Sequence, residues 1–250
     1  MREDEGAGSG RGPALSVVIP ALNEEEALPG LLASLESQGV EPPFEVILAD
    51  GGSTDGTVGR FLALVRDWPE RGLAAGVLAS PAAGRALQMN SGARAARGGA
   101  LLFLHADSRL RPGAIRCVLR ALEDPRVVGG GFRHRFRERG PLLRLISAWA
   151  TARSLVRRVH YGDQAIFVRR STFESIGGFP EIPLFEDLRL SLAIKRCGRV
   201  RTLAMPVETS ARRLRRGGVA RTAARFAWLK FRYALGADPS RLRSRYPDVR

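Results

Sequence analysis

Leu15-Ser16-Val17-Val18-Ile19-Pro20-Ala21-Leu22-Asn23-Glu24 is the stretch from which the fold can be read. Residues suited to a buried, pleated strand run into Pro20, which cannot donate to a sheet ladder and closes the run. Leu28, Leu31, Leu32 and Leu35 follow at helical spacing, so a helix is expected to start near Glu24. Strand, polar loop and amphipathic helix make half of a βαβ unit, and the pattern recurs. Residues 44–49 read as a strand, 57–68 as a helix, 73–79 as a strand, 82–96 as a helix and 100–105 as the most apolar strand. Such alternation predicts an α/β fold with a doubly wound, mostly parallel sheet covered by helices on both faces.

Beyond Pro125 the rhythm changes. β-like runs at 127–136 and 164–168 flank a helix at 142–159, and further helices are expected at 185–196 and 219–235. No internal repeat or low-complexity linker divides the chain. The reading is one domain over 14–212, in two continuous halves (14–125 and 126–212). A disordered tail is expected at 1–13, and a basic amphipathic helix and tail at 213–250.

The chain has 250 residues, 44% of them hydrophobic, enough for a substantial core. Cys117 and Cys197 match no metal or redox spacing and read as reduced thiols. The start of the chain lacks an apolar signal core, and no stretch approaches the roughly 20 apolar residues that cross a bilayer, so a cytoplasmic location is expected. The net charge of +15 is unevenly placed. Residues 1–125 hold 12 basic and 16 acidic side chains, net −4, whereas 126–250 hold 28 and 9, net +19. Such a field attracts anions: diphosphates, nucleic acid or a lipid surface. An Arg-rich composition by itself gives the bland alternative.

In an open parallel sheet, ligands sit beyond the carboxyl ends of the strands, at the point where the crossovers change direction. Three polar clusters fall at such ends: Pro20 to Glu24, Asp50 to Asp55, and His105-Ala106-Asp107. The Asp50 loop carries Gly51, Gly52 and Gly56, which allow tight turns and close backbone approach to a ligand. Asp50 at a strand end suits a nucleobase or ribose, while Asp55 suits the cap of the following helix. Asp107, emerging from a buried strand, suits a hard divalent cation that bridges phosphates and keeps several waters. Glu186-Asp187 opens a helix; these carboxylates either complement the helix dipole or supply a general base.

Taken in order, Ser16 to Glu25, Ala49 to Thr57, Leu102 to Asp107, Gly162 to Arg170, Ile176 to Pro180 and Phe185 to Leu188 resemble the motifs of family 2 glycosyltransferases. The likeness runs from about Leu15 to Gly198 and looks closest to a compact bacterial subgroup found beside radical-SAM and selenium-related genes. It implies a GT-A type, Rossmann-like fold whose first half binds a nucleotide and whose smaller second half meets the acceptor. It implies a nucleotide-sugar donor, UDP-linked ahead of GDP-linked, held by Pro20, Ala21, Glu24 and Asp50, with Arg85, Asn90, His105 and Ala106 along it. Asp107 would hold Mg²⁺ or Mn²⁺ on the diphosphate. Asp187, with Glu186 beside it, would be the base of an inverting single-sugar transfer, and Gly162, Asp163 and Gln164 would border sugar and acceptor. Two positions depart from the pattern: Gly51 stands where a second aspartate is usual, and His105 where the metal motif usually begins with Asp. The processive-synthase signature is missing.

The 219–235 helix places Arg221, Arg225 and Arg232 within about 40° of one another, with Trp228 among them, and Phe226, Leu229 and Tyr233 on a separate stripe. It reads either as a surface helix packed on the domain or as a peripheral contact with the inner face of the membrane, near a lipid-linked or carotenoid-like apolar acceptor. The 142–159 helix, with Trp149, Arg144, Arg153 and Arg157, poses the same choice. Three rivals stand beside the transferase: a sugar nucleotidyltransferase, an inactive transferase, and a basic nucleic-acid-binding protein. Low aromatic content (7%) and the lack of a recognised motif speak against the last.

Overall fold

β1 (Leu15–Ala21) lies between β2 (Phe44–Asp50) and β4 (Ala100–Phe103), parallel to both. The structure, a computed structural model, describes residues 12–39, 41 and 43–245. The tail expected at 1–13 therefore lies, except for Gly12 and Pro13, outside the described residues, as does the end of the basic tail. With β3 (Ala74–Ala79), β5 (Val127–Phe136), β6 (Phe167–Arg169) and β7 (Arg199–Thr209), these strands form one sheet in the order β3-β2-β1-β4-β6-β5-β7. Only β6 runs against the rest. The mixed α/β expectation holds, and the direction of crossover switches between β1 and β4.

The strands at the centre are apolar on both faces because both are covered. Val17, Ile19, Val46 and Leu48 face α1 (Leu28–Glu36), α2 (Thr57–Leu64) and α4 (Ala114–Glu123). Val18, Ile47, Leu101 and Phe103 face α3 (Arg85–Ala95), α6 (Arg170–Ser175) and α7 (Glu186–Cys197). One polar pair, Ser16 and Glu45, interrupts this pattern. Buried Glu45 accepts from Ser16 Oγ (2.6 Å) and from Arg97 through its backbone N–H (2.5 Å) and Nε (3.0 Å), tying β1 and β2 to the turn before β4.

Element ends differ from the sequence reading where local chemistry intervenes. The helix expected from Glu24 begins at Leu28, because 24–27 close a turn (Ala27 N–H to Glu24 O, 2.9 Å) and Pro29 occupies the first helical turn. The 57–68 helix stops at Leu64, and Pro69–Arg71 forms a separate 3₁₀ turn. The 164–168 run splits into a 3₁₀ turn at Gly162–Gln164 and the reversed strand β6. The longest strand, β7, was not anticipated. It is an edge strand whose strand partner is β5, with an isolated bridge from Glu208 to Arg109 besides, and it carries Pro206 next to a register shift, so it lacks the apolar alternation of a central strand.

The second half adds α5 (Pro141–Arg157), α8 (Arg212–Arg216), α9 (Val219–Ala234) and α10 (Pro239–Arg243). The boundary expected at 212/213 falls at the start of α8, and α9 is integral to the fold. Leu229 is buried among Leu184, Phe185 and Leu242, and Phe226 packs both there and against Leu143, Ala211 and Leu214.

Candidate active site

The loops after β1 and β2 are laced together at the carboxyl edge of the sheet. Asn23, at φ 55°, donates its N–H to Ser53 Oγ (2.9 Å) and accepts from Thr54 N–H (2.8 Å). Glu24 N–H reaches Thr57 Oγ1 (2.8 Å). Asp55 accepts from Thr57 N–H (2.9 Å), but the N-cap position of α2 is Gly56, so Asp55 sits one residue before the cap expected of it. The Asp50 carboxylate accepts from Gly52 N–H (3.0 Å), Ser53 N–H (3.1 Å) and Ser53 Oγ (2.5 Å), so it shapes the glycine loop from within.

The predicted donor contacts divide by what their atoms already do. Ala21 and Ala106 have their methyl groups in the core, and the Ala21 carbonyl receives Gly51 N–H (2.9 Å) and Gln88 Nε2 (2.5 Å). Pro20 is half-buried beside them. Asn90 donates to Phe179 O and accepts from Phe179 N–H, both at 2.9 Å, which pins the Gly178-Phe179 turn. Arg85 pairs with buried Glu186 at 3.2 Å. Gln88, which sequence reading passed over, also reaches Ala49 O (3.1 Å) and thereby locks the ends of β1 and β2 together.

Asp107 projects beside Glu24 and a group of arginines from distant parts of the chain. Burial raises the pKa of Asp107, against the pull of Arg213, Arg212, Arg137 and Arg85. Burial also raises Glu24, whose partner is Arg212 at 3.1 Å. Arg137 Nη1 donates to the Asp107 carbonyl (2.8 Å). Two acids facing four arginines are suited to a diphosphate and its counter-ion. The sequence signal for this is the run Arg212-Arg213-Leu214-Arg215-Arg216, which straddles the boundary expected at 212/213.

A divalent ion fits this corner in one way. Among the described residues no three His, Cys, Asp or Glu side chains cluster as a ready-made metal cage. One carboxylate, Asp107, with a diphosphate and water completing the shell, is the arrangement Mg²⁺-type ions accept. His105 is held neutral by burial and by Arg85, its pKa pushed down to about 3, and its Nε2 has no hydrogen-bond partner among the described residues.

The acceptor side is built from the 3₁₀ turn and the start of α7. Gly162 N–H donates to Asp187 Oδ2 at 2.7 Å, and Leu188 N–H to Oδ1 at 2.7 Å. Burial, then the neighbouring Glu186, pushes Asp187 up to about 6. Phe185, just before it, has φ 68°, an uncommon conformation for a bulky residue, and its ring stacks on Tyr233 of α9 at 4.5 Å. Burial works to raise Asp163, but His134 (3.7 Å), Lys230 and Arg153 outweigh it and hold the carboxyl below the usual range. Gln164 is buried and structural, donating to Phe132 O (3.1 Å) and accepting from Arg153 Nη2 (2.8 Å). Arg153 and Lys230 lie over the Tyr161 ring at 3.8 and 4.3 Å. Lys230, one of two lysines in the chain, thus brings α9 to the cleft.

A separate groove lined by Pro125, Arg126, Arg158, Lys195 and Arg199 lies by the amino ends of β5 and β7, away from all of these groups.

The family model for glycosyl transferase family 2 matches residues 16–177, which include the Asp50 loop, Asp107 and the Gly162 turn. The chain belongs to glycosyl transferase family 2. Among curated proteins it is 36% identical over 126 residues to an undecaprenyl-phosphate 4-deoxy-4-formamido-L-arabinose transferase of Aeromonas hydrophila, covering 48% of this chain and 37% of that one. The match spans 22–37% of the length of the curated relatives compared. Among solved structures, a mannosyltransferase of Pyrobaculum calidifontis in complex with GDP-Man and Mn²⁺ superposes with a TM-score of 0.69 at 20% identity, over 94% of this chain and 68% of that one. S. aureus TarS 1-349 in complex with UDP-GlcNAc gives 0.59 at 19%, over 78% and 58%. These likenesses show the GT-A fold.

Proposed function

We propose that this family 2 enzyme moves one sugar, with inversion, from a nucleoside diphosphate sugar to a hydroxyl acceptor. The observation that carries the reading is the pairing of two differently tuned corners on one rim. Asp107 sits among arginines, where a diphosphate would rest, and Asp187 sits half-buried against the Gly162 turn, its pKa pushed up to about 6. The base and ribose would lie over the Pro20–Glu24 and Asp50 loops. A UDP-sugar is favoured over a GDP-sugar on the sequence resemblance; among the structural neighbours, one binds GDP-Man and another UDP-GlcNAc.

At neutral pH Asp187 is ionised yet more basic than an ordinary carboxylate, the state a general base for a hydroxyl needs. Gly162 N–H and the helix start hold its oxygens in place. Arg212, Arg213 and Arg137 would draw the departing nucleoside diphosphate away by stabilising its growing charge. A divalent ion, Mg²⁺ or Mn²⁺, would be held by Asp107 and would supply the same neutralisation when bound.

Calorimetric titration of UDP and GDP with and without Mn²⁺, on wild type and Asp107→Ala, tests the reading. Metal-dependent binding that the substitution weakens tenfold or more is expected. Binding of neither nucleotide under either condition would overturn it.

A further inference from the structure

α5 is amphipathic in the inverted sense. Towards the fold it turns Leu143 and the small residues Ser147, Ala150 and Ser154, all buried. Towards solvent it turns Leu145, Trp149 and Val156, which are 65, 58 and 82% exposed. With Leu142 and Ala152 these residues recur at helical spacing and fill an arc of about 80°. A water-facing helix ordinarily does the reverse. The large apolar residues are therefore not needed by the core they turn away from.

α9 repeats the arrangement next to it. Its inner stripe of Phe226, Leu229 and Tyr233 packs on the domain, as its spacing permits. Its outer side carries Trp228 and Phe231, with Leu235 just past its end, 40, 61 and 68% exposed. These three span about 60° of arc, and Arg221, Arg225 and Arg232 lie immediately beside them. The two helices are neighbours, Ile146 of one and Ala223 and Phe226 of the other packing against the same buried cluster of Leu143, Ala211 and Leu214. Lys230 lies 6.0 Å from the centre of the Trp149 ring. Arg144, Arg157 and Arg158 border the α5 stripe, all exposed. Apolar stripes rimmed by arginine, in a half-chain of net charge +19, complement a surface that is anionic outside and apolar a few ångströms within.

We propose that the outer faces of α5 and α9 dock on an anionic lipid bilayer, the tryptophans and Phe231 entering the headgroup–acyl boundary and the arginines meeting phosphates. Nucleic acid fits this face less well, since the large side chains between the two rims of cations are largely aliphatic or phenyl, and only the two indole N–H groups among them can hydrogen-bond. Lys230 and Tyr161 connect the docking face to Asp163 and Asp187. If Asp187 is the base, as argued above, the acceptor side of the cleft then lies close to the headgroups. Docking itself does not depend on that reading.

The test uses the full chain without donor. Sedimentation with phosphatidylcholine vesicles, and with vesicles containing phosphatidylglycerol, should show binding to the anionic set alone, weakened by 0.5 M salt. Trp149→Ser with Phe231→Ser, at exposed positions, should lower vesicle affinity tenfold or more while leaving thermal stability and nucleotide binding unchanged. Brominated lipid should quench wild-type fluorescence, but not that of the Trp149→Phe, Trp228→Phe protein, whose remaining Trp68 is buried. Absence of anionic-vesicle binding would overturn the proposal. So would a stable dimer that the serine variants dissolve, or binding to short DNA or RNA that they abolish while vesicles remain unbound. A protein that binds vesicles but neither nucleotide overturns the donor reading alone; nucleotide binding without vesicle binding overturns only the docking.

Discussion

Gly162 and Asp187 are joined by a 2.7 Å hydrogen bond from backbone N–H to carboxylate, and a side chain at 162 would strike the ring of His105. A Cβ there would lie 2.6 Å from His105 Nε2 and 3.5 Å from Asp187 Oδ2. Glycine is required here for close approach, and the turn is the joint between the two corners of the cleft. Gly162→Ala should cost about 1–3 kcal/mol of stability through overpacking, and lower kcat more than it weakens nucleotide binding. Urea unfolding and steady-state kinetics read the two effects separately.

The raised pKa of Asp187 predicts the shape of the pH profile. Turnover should fall as the pH drops through about 6, where the base gains its proton, rather than near 4. Arg85 opposes this shift, so Arg85→Ala should move the acid limb to higher pH. Asp187→Asn should lower kcat by about 10²–10⁴-fold with nucleotide affinity retained. Stability has the opposite sign. Because the folded pKa lies above the ordinary 3.8, the folded chain holds the proton more tightly, and this carboxyl disfavours folding increasingly as pH rises from about 4 to about 6. The Asn variant should therefore gain stability relative to wild type between pH 4 and pH 7, measured by denaturant unfolding at each.

Gly51 stands where a second aspartate is usual in the resemblance, and the structure gives a reason. A Cβ at 51 would lie 2.7 Å from Gln88 Nε2, and that amide is held by Ala21 O and Ala49 O. Gln88 is buried and doubly bonded, so it cannot swing aside cheaply. Gly51→Asp alone should destabilise the fold by about 1–3 kcal/mol and weaken nucleotide binding. The added Gln88→Ala change should recover part of the affinity. Thermal melts with and without nucleotide would show this; equal effects of Gly51→Asp in both backgrounds would sink the explanation.

Glu45 ties β1, β2 and the turn before β4 together. Burial favours its neutral form, but the bonds from Ser16 and Arg97 outweigh burial and hold its pKa below the usual 4.5. Its contribution is therefore present above that value and lost as pH falls through the lowered one. Glu45→Ala should destabilise by about 2–3 kcal/mol at pH 7, Glu45→Gln by less, and both differences should narrow below pH 4. Equilibrium unfolding at pH 7 and pH 3.5 is the measurement.

By itself the amino-acid sequence determined the layered α/β core. β1, β2 and β4 are short apolar runs that end at Ala21, Asp50 and just before the His105 turn, and the helices between them carry apolar residues at helical spacing. Pro20 is paired inside β1 against Ala49 rather than closing it as the sequence reading expects. Local pattern suffices where both faces of a strand are covered. It also marked Asp50, Asp107 and Asp187, because each is a carboxylate at the end of a strand or the start of a helix. Three things required the tertiary structure. β7 is legible only as the edge partner of β5, since half-exposed edge strands lack strong patterning. Arg137, Arg212, Arg213 and Lys230 are far from the motifs in sequence and reach the cleft only because the end of β5, α8 and α9 come together there. The roles of Asn90, Gln88 and Gln164 were equally hidden. A buried amide and a ligand-binding amide look the same in one dimension, and only the position of the carbonyls around it separates them.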